Sequence, residues 1–431
     1  MIRSILTTVI FAGSLCHAGY SIESTTDDIA SLKLLVANES YDEALYLFEM
    51  LKSGEPGNPE LWYLGGIAHN RMMRQDSALV YFNRARLLDS TDQRIAGALA
   101  SVYVSLRQSA NARDIYLDMI RRDSTVLMPH IQLASLHMRD NEPRAALDIY
   151  LFLHSREPGN HGFIKSIGDC YRRTGDHPAA VKYYRKAHDM NNNDLSVNLA
   201  LTNLYARMKD YERGLDIAEK GIEIDARHAE LLFWSGFFNY ALGRHSQAVR
   251  RLKDAENNGN ESVLVHQYLG ICYYFLGNYE NAREYLEMAV SINVNDHRLF
   301  TYLGKIYRYL NDYEISEIYF NNALEVLKPD AGAIIDTYLN LVDTYRMSAD
   351  YNKMAEAYKS ALEYDRNNPY LHYGLAYTYD NHLSLKENAA ESYRFFIQHA
   401  SKIADPGAEM MTLMDYARAR LRSMTEDRFF E

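Results

Sequence analysis

The chain has 431 residues, of which 47% are hydrophobic and 24% charged, enough apolar material for a large core. Its 46 basic residues are outnumbered by 57 acidic ones, and a formal net charge of −11 argues against nucleic acid or an anionic membrane surface, both of which draw on a positive field. Only 9 Pro are present and no stretch is rich in Gly, Ser or Pro, so no linker divides the chain and one continuous architecture is expected.

The N-terminus comes first. Arg3 supplies a positive end, Ile5 to Leu15 is mostly apolar, and Cys16-His17-Ala18 places small residues three and one before a candidate cut. Residues 1–18 are therefore expected to be a secretory signal, with 19–24 a short segment behind it, and the protein is expected to be exported, periplasmic or secreted. A cytoplasmic protein with an apolar N-terminus is the alternative. Leu15 stands where a lipoprotein signal needs a small residue, so no lipid anchor is expected at Cys16. The apolar run is too short to cross a bilayer, and no other segment reaches that length.

From Pro59 onward the chain falls into rows of one constant length, 34 residues, beginning at Pro59, Gln93, Leu127, His161, Leu195, Ala229, Val263 and His297. Position 8 of these rows is small in most of them (Gly66, Ala100, Ala134, Gly168, Gly236, Gly270, Gly304), and so is position 20 (Ala78, Ala112, Ala146, Ala180, Gly214, Ala248, Ala282, Ser316). Larger residues recur beside them: Leu99, Leu133, Ile167, Leu201, Leu269 and Leu303 at position 7, Tyr103, Tyr171, Tyr205, Tyr273 and Tyr307 at position 11, and Phe82, Tyr116, Tyr150, Tyr184 and Phe320 at position 24. Positions 4, 7, 8 and 11 make one stripe of a helix, and 20, 24 and 27 make the stripe of a second. Gly175-Asp176, Gly243-Arg244 and Gly277-Asn278 lie between the two and suit the end of a helix. Each row thus predicts an antiparallel helix pair, and the chain is all-α.

Degenerate rows extend the array upstream from about Thr25 and downstream from Ile335 and Pro369, after extra residues around Lys328 to Ala331 and with a one-residue slip near His382. Residues 25–405 form the array. Pro406-Gly407 then opens a last helix within 406–431, in which Met410, Leu413, Met414 and Leu421 cover the end of the stack while Arg418, Arg420 and Arg422 keep it wet.

This pattern resembles the tetratricopeptide repeat, with its W-x2-L-G-x2-Y, A-x3-F and P signature. The row from Val263 reads Leu269-Gly270-x2-Tyr273 and then Ala282-x3-Leu286-x2-Ala289, the row from His297 reads Leu303-Gly304-x2-Tyr307, and the first full row carries Trp62. The resemblance implies a right-handed superhelical solenoid of about eleven helix pairs with a C-terminal capping helix. It also implies a non-enzymatic scaffold or adaptor that holds a partner peptide or subunit in its concave groove. A permanent structural component of an envelope or secretion complex is the alternative.

No local motif assembles a catalytic centre. There is no Gly-rich phosphate loop, no H-E-x-x-H, no G-x-S-x-G and no paired C-x-x-C, so no enzyme activity, metal or cofactor is expected. Cys170 and Cys272 share position 10 three rows apart, too far for a mutual disulfide in a stack of such rows, and are expected as small core residues. His130 and His137 fall on packing positions. For the groove, positions 2, 5, 9 and 12, with 13 at the edge, make the stripe that the resemblance assigns to the concave face. They hold Lys165, Arg172, Arg173 and Arg207, then Phe233, Phe237, Tyr240, Tyr274 and Phe275, then Lys305 and Arg308. An aromatic centre between basic zones implies a protein or peptide partner carrying acidic and apolar residues.

Overall fold

A computed structural model describes residues 26–327 and 330–430 of the chain. The candidate export signal, its cut after Ala18, the segment behind it and Cys16 lie outside the described residues. The chain divides into two compact units, one up to Asn192 and one from Asn193 onward.

The first unit holds five helix pairs: α1 (Thr26–Ala37) with α2 (Tyr41–Leu51), α3 (Pro59–Arg71) with α4 (Gln75–Leu88), α5 (Gln93–Ser105) with α6 (Ser109–Arg122), α7 (Leu127–Arg139) with α8 (Pro143–Arg156), and α9 (His161–Thr174) with α10 (His177–Met190). The second holds six: α11 (Leu195–Arg207) with α12 (Tyr211–Ile224), α13 (Ala229–Ala241) with α14 (His245–Asn257), α15 (Val263–Phe275) with α16 (Tyr279–Ile292), α17 (His297–Tyr309) with α18 (Tyr313–Val326), α19 (Ala331–Met347) with α20 (Tyr351–Tyr364), and α21 (Pro369–Asn381) with α22 (Lys386–Ala400). A single helix, α23 (Gly407–Phe430), follows. All elements among the described residues are helical.

Local chemistry sets these boundaries. The first helix of most pairs opens on an Asn or Asp whose side chain accepts from the backbone N–H groups of the first turn: Asn58, Asp92, Asn160, Asp194, Asp296, Asp330 and Asn368. Each such cap removes one orphan donor and contributes about 1 kcal/mol. Between the two helices of a pair a short turn passes through the left-handed region. Gly277 takes it at φ 74°, but Arg107 takes it at φ 59° and Ala349 at φ 57°.

The small residues sit where the two helices of a pair close on each other. A Cβ on Gly66 would lie 2.6 Å from the Phe82 ring, and one on Gly270 would lie 2.5 Å from Leu286 and 3.1 Å from the Ala282 carbonyl oxygen. Position 8 is therefore small because position 20 and position 24 of the same row occupy the space, a packing in which added volume forces strain. The core runs continuously along each unit as these contacts repeat from row to row.

Two irregularities resolve in physical terms. The extra residues near position 330 are wound into α19, which is 17 residues long and starts at Ala331 behind its Asp330 cap. The slip near His382 is a longer connection between α21 and α22, with Ser384 at φ 57°. At the C-terminal end, Met410, Met414, Ala417 and Met424 of α23 are buried against Tyr393, Phe396 and Ala400, with Leu413 and Leu421 packed beside them. Arg420 does not keep that end wet: its guanidinium grips Asp380 through Nε (2.8 Å) and Nη2 (2.7 Å), and the Asp380 side chain is 2% exposed.

Cys170 and Cys272 are buried and free. Burial raises the Cys272 thiol to about 12, where it is protonated and unreactive at neutral pH. His130 is buried too, its Nδ1 3.1 Å from the Val126 carbonyl and its ring stacked on Phe152.

Candidate functional site: an aromatic stripe on the second unit

Within the second unit the first helices of successive pairs touch in order, α11 with α13, α13 with α15, α15 with α17 and α17 with α19. Residues facing away from the pair contacts on these helices therefore share one surface. At roughly 100° per residue, positions 2, 6, 9 and 13 cluster within about 60° of one another, opposite the packing stripe. Positions 5 and 12 lie about 80° round from the centre of that cluster, towards a neighbouring helix.

The expected groove residues sort accordingly. Phe233, at position 5, is 8% exposed and packs edge-on against Trp234. Arg308, at position 12, is 9% exposed; its Nη1 donates to the Asn340 carbonyl at 3.1 Å and lies 3.7 Å from Asp343. Both belong to the seam between rows rather than to a free surface, which corrects the expectation for these two. Phe237 and Tyr240 are half-buried and each stands against Tyr268, with ring centroids 5.3 and 4.9 Å apart. Tyr274 is half-buried and meets Tyr302 at 5.3 Å. Phe275 is 52% exposed, with its ring stacked on His245 at 4.7 Å. Tyr309, 48% exposed, stacks on Tyr279 at 4.6 Å.

Sequence reasoning missed position 6. Trp234, Tyr268 and Tyr302 occupy it in three successive rows: the first two join Phe237 and Tyr240, Tyr302 joins Tyr274 and Phe275, and His245 links the two groups. The recurrence of an aromatic ring at one position was the available signal. The phenols are held protonated: burial raises Tyr240, Tyr268 and Tyr302, and burial followed by the neighbouring Tyr309 raises Tyr274 to about 12. They offer hydrogen-bond donors on an otherwise apolar face.

The cations divide into two kinds. In the first unit, Arg173 at the end of α9 donates to the Met138 carbonyl in the last turn of α7. Arg172 donates through Nε to the Tyr184 hydroxyl (3.2 Å) and through Nη2 to Asp169 (3.4 Å), and Tyr184 also donates to Asp169. Lys165, on the same helix, is half-buried. Arg207 is exposed at the end of α11 in the second unit. Lys305, on α17, is half-buried and lines a cleft of about 280 Å³ with Arg298, Tyr302, Asp336 and Asn340. Among the described residues no acceptor or carboxylate comes within bonding distance of its ammonium. Burial lowers its pKa, Arg308 lowers it further, and Asp336 partly offsets the shift. Arg298 beside it is held by both oxygens of Asp296. The structure thus brings Phe237, Tyr240, Tyr274, Phe275 and Lys305 onto one unit's face, while Lys165, Arg172 and Arg173 belong to the other unit.

Family models recognise the repeat over part of the chain. Tetratricopeptide-repeat models match residues 131–194, 263–296, 298–326 and 335–368. Those segments are tetratricopeptide repeats. No curated protein matches it. Among solved structures, a MamA protein is 23% identical, with 38% of this chain and 91% of that one covered and a TM-score of 0.36. YrrB, described as a tetratricopeptide-repeat protein with an unusual peptide-binding site, is 22% identical over 43% of this chain and 93% of its own, at a TM-score of 0.39. A tetratricopeptide-repeat protein from Parabacteroides merdae ATCC 43184 is 16% identical over 58% and 98%, at a TM-score of 0.41. Tetratricopeptide repeats are in general interaction scaffolds without catalytic machinery. Among the described residues no group of three His, Cys, Asp or Glu side chains is placed to hold a metal, and no helix is long and apolar enough to cross a membrane.

Proposed function

We propose that this tetratricopeptide-repeat protein is a non-enzymatic scaffold, working outside the cytoplasm, that holds a segment of a partner protein against the α13–α15–α17 face of its second unit. The observation that carries this reading is the run of partly exposed rings at positions 6, 9 and 13 of consecutive rows, ending on Phe275 and Tyr309. Rings on a rigid helical scaffold lose little freedom on binding and dominate the energetics of interfaces. The partner segment carries apolar or aromatic residues for this stripe and acidic residues for the cations beside it. Export is supported by Arg3, the apolar run to Leu15 and the Cys16-His17-Ala18 sequence. N-terminal sequencing of the natural protein tests it, with Gly19 the expected first residue and an intact Met1 the contrary result.

The binding reading is tested by selecting peptides from a random displayed library on the full chain. Selected peptides are expected to lose at least tenfold in affinity on the Phe275→Ala/Tyr309→Ala double variant with helix content unchanged. Peptides that bind both proteins equally would move the site elsewhere.

A permanent place in a larger complex is the second reading, and one observation favours it: Val80 and Leu87, two turns apart on α4, are both exposed on the outer helix of their pair. Val80→Glu/Leu87→Glu would then release the protein from its complex while leaving peptide binding intact.

A further inference from the structure

We infer that the cleft between α17 and α19 takes a single side-chain carboxylate, an Asp or Glu within the bound segment, next to the apolar residue that stands on Tyr302 and Phe275. The inference rests on the reading of the stripe as a binding face and assigns the chemistry of one place on it.

Charge decides the ligand class. The contacts around the cleft join Arg298 to Asp296 and both Arg308 and Arg346 to Asp343, with Lys305 and Asp336 facing the opening. Arg298 and Arg308 each have a carboxylate in contact, whereas among the described residues Lys305 has none. Its surroundings do not supply what it lacks. The Thr301 and Thr337 hydroxyls and the Asn340 amide bond to their own helices, and among the described residues none of their oxygens accepts from the ammonium. A half-buried ammonium without an acceptor is costly, and a carboxylate brought by a ligand removes that cost. One carboxylate supplies the missing acceptor. A dianionic phosphate would press harder against Asp336.

Position decides the source of the carboxylate. Tyr302 lines the cleft and also meets Tyr274 at 5.3 Å and Phe275 at 6.3 Å, so the cleft opens directly onto the aromatic stripe. On the other side, past α19 and α20, α21 again exposes rings, Tyr370 and Tyr377. A chain terminus lodged in the cleft would leave that second set of rings uncovered. An internal acidic residue lets the segment continue over both.

Two displayed libraries of random twelve-residue peptides on the full chain test this, one with amidated C-termini and one with free C-termini. The amidated pool is expected to enrich an Asp or Glu within three residues of an aromatic or aliphatic residue. Those peptides are expected to weaken at least tenfold on Lys305→Gln and to recover on Lys305→Arg, and the same peptides with Asn or Gln for the acid are expected to be indifferent to Lys305→Gln. Binders found only with free C-termini, and lost on amidation, would overturn the inference in favour of a terminal carboxylate. Binders that depend on Phe275 and Tyr309 but show no acid preference would overturn it while leaving the binding face intact. Binders indifferent to Phe275 and Tyr309 would remove the binding face itself.

Discussion

The two units carry cations on the same helices of the repeat and use them differently. In the first unit Arg139 at the end of α7 donates to the Val104 carbonyl of α5 at 3.1 Å, and Arg173 repeats the contact one row later with Met138. Arg94 reaches back to Glu60 at 2.8 Å in the same manner. Each arginine closes a seam, and a cation at the last turn of the preceding helix also meets the negative end of its dipole. In the second unit Arg308 closes a seam in the same way, but the corresponding face holds rings and Lys305 is left facing a cleft. The difference teaches that a basic residue at a groove position says little by itself. It is a staple when a carbonyl or carboxylate of the adjacent row lies within reach, and a ligand group only when none does.

Removing a staple should cost stability, and removing Lys305 should not. The largest effect is expected at the end of the second unit. Among the described residues, Arg420→Ala leaves the buried Asp380 carboxylate with only the Tyr393 hydroxyl, 3.3 Å away, and should destabilise the packing of α23 by about 3 kcal/mol. Hydrogen exchange should show protection lost in α21 to α23 and kept in rows further away, since coupling in a solenoid passes between neighbours. Uniform loss along the unit would contradict that.

Next comes Arg173→Ala in the first unit. It deletes one charge-assisted bond to a helix end and should cost about 1 kcal/mol in urea unfolding, with no change in affinity for peptides selected on the second unit. A loss of peptide affinity without a loss of stability would reverse its assignment as a staple.

A smaller effect of opposite sign separates two turns. The α15–α16 turn places Gly277 in the left-handed region, whereas the α5–α6 turn places Arg107 there. A side chain in that conformation costs about 1–2 kcal/mol, of which the added freedom of glycine in the unfolded chain returns part. Arg107→Gly should therefore stabilise by about 0.5 kcal/mol, measured as a shift in the urea midpoint.

The smallest effect belongs to Lys305 and depends on pH. Its folded pKa lies below the ordinary lysine value, so its charged form is disfavoured by folding. That penalty is fully present below the folded pKa and is relieved as pH rises from there towards the unfolded value near 10.5. The groups that face it are Arg308, which adds to the penalty, and Asp336, which offsets part of it. Lys305→Met should thus be neutral or slightly stabilising at pH 7, and its advantage over the wild type should fade as pH approaches 10.5. A clear loss of stability at pH 7 would show that Lys305 is a staple after all.

Much of the fold was legible because one constraint repeats. Glycine or alanine at position 8 facing a ring or a leucine at position 24 is a close approach of two backbones, and most rows state it again. The site was less legible for a physical reason. Positions 5 and 12 look outward when one helix is drawn alone, and only the adjacent row turns Phe233 and Arg308 into seam residues. Position 6 lies opposite the packing stripe on a single helix, and its signal was the ring that Trp234, Tyr268 and Tyr302 place there in three successive rows. Nor does sequence spacing reveal that Arg420 meets Asp380, since that pairing depends on how α23 folds back onto the last pair.

The most direct test of the central claim compares one selected peptide on three proteins: the wild type, Phe275→Ala/Tyr309→Ala and Arg173→Ala. Affinities are measured by calorimetry at low salt and at 1 M salt, where the Debye length falls to about 3 Å. The ring variant is expected to weaken binding at least tenfold at both salt concentrations while Arg173→Ala matches the wild type at both. Equal affinity of the ring variant and the wild type, or a loss confined to Arg173→Ala, would contradict the placement of the binding face on the second unit.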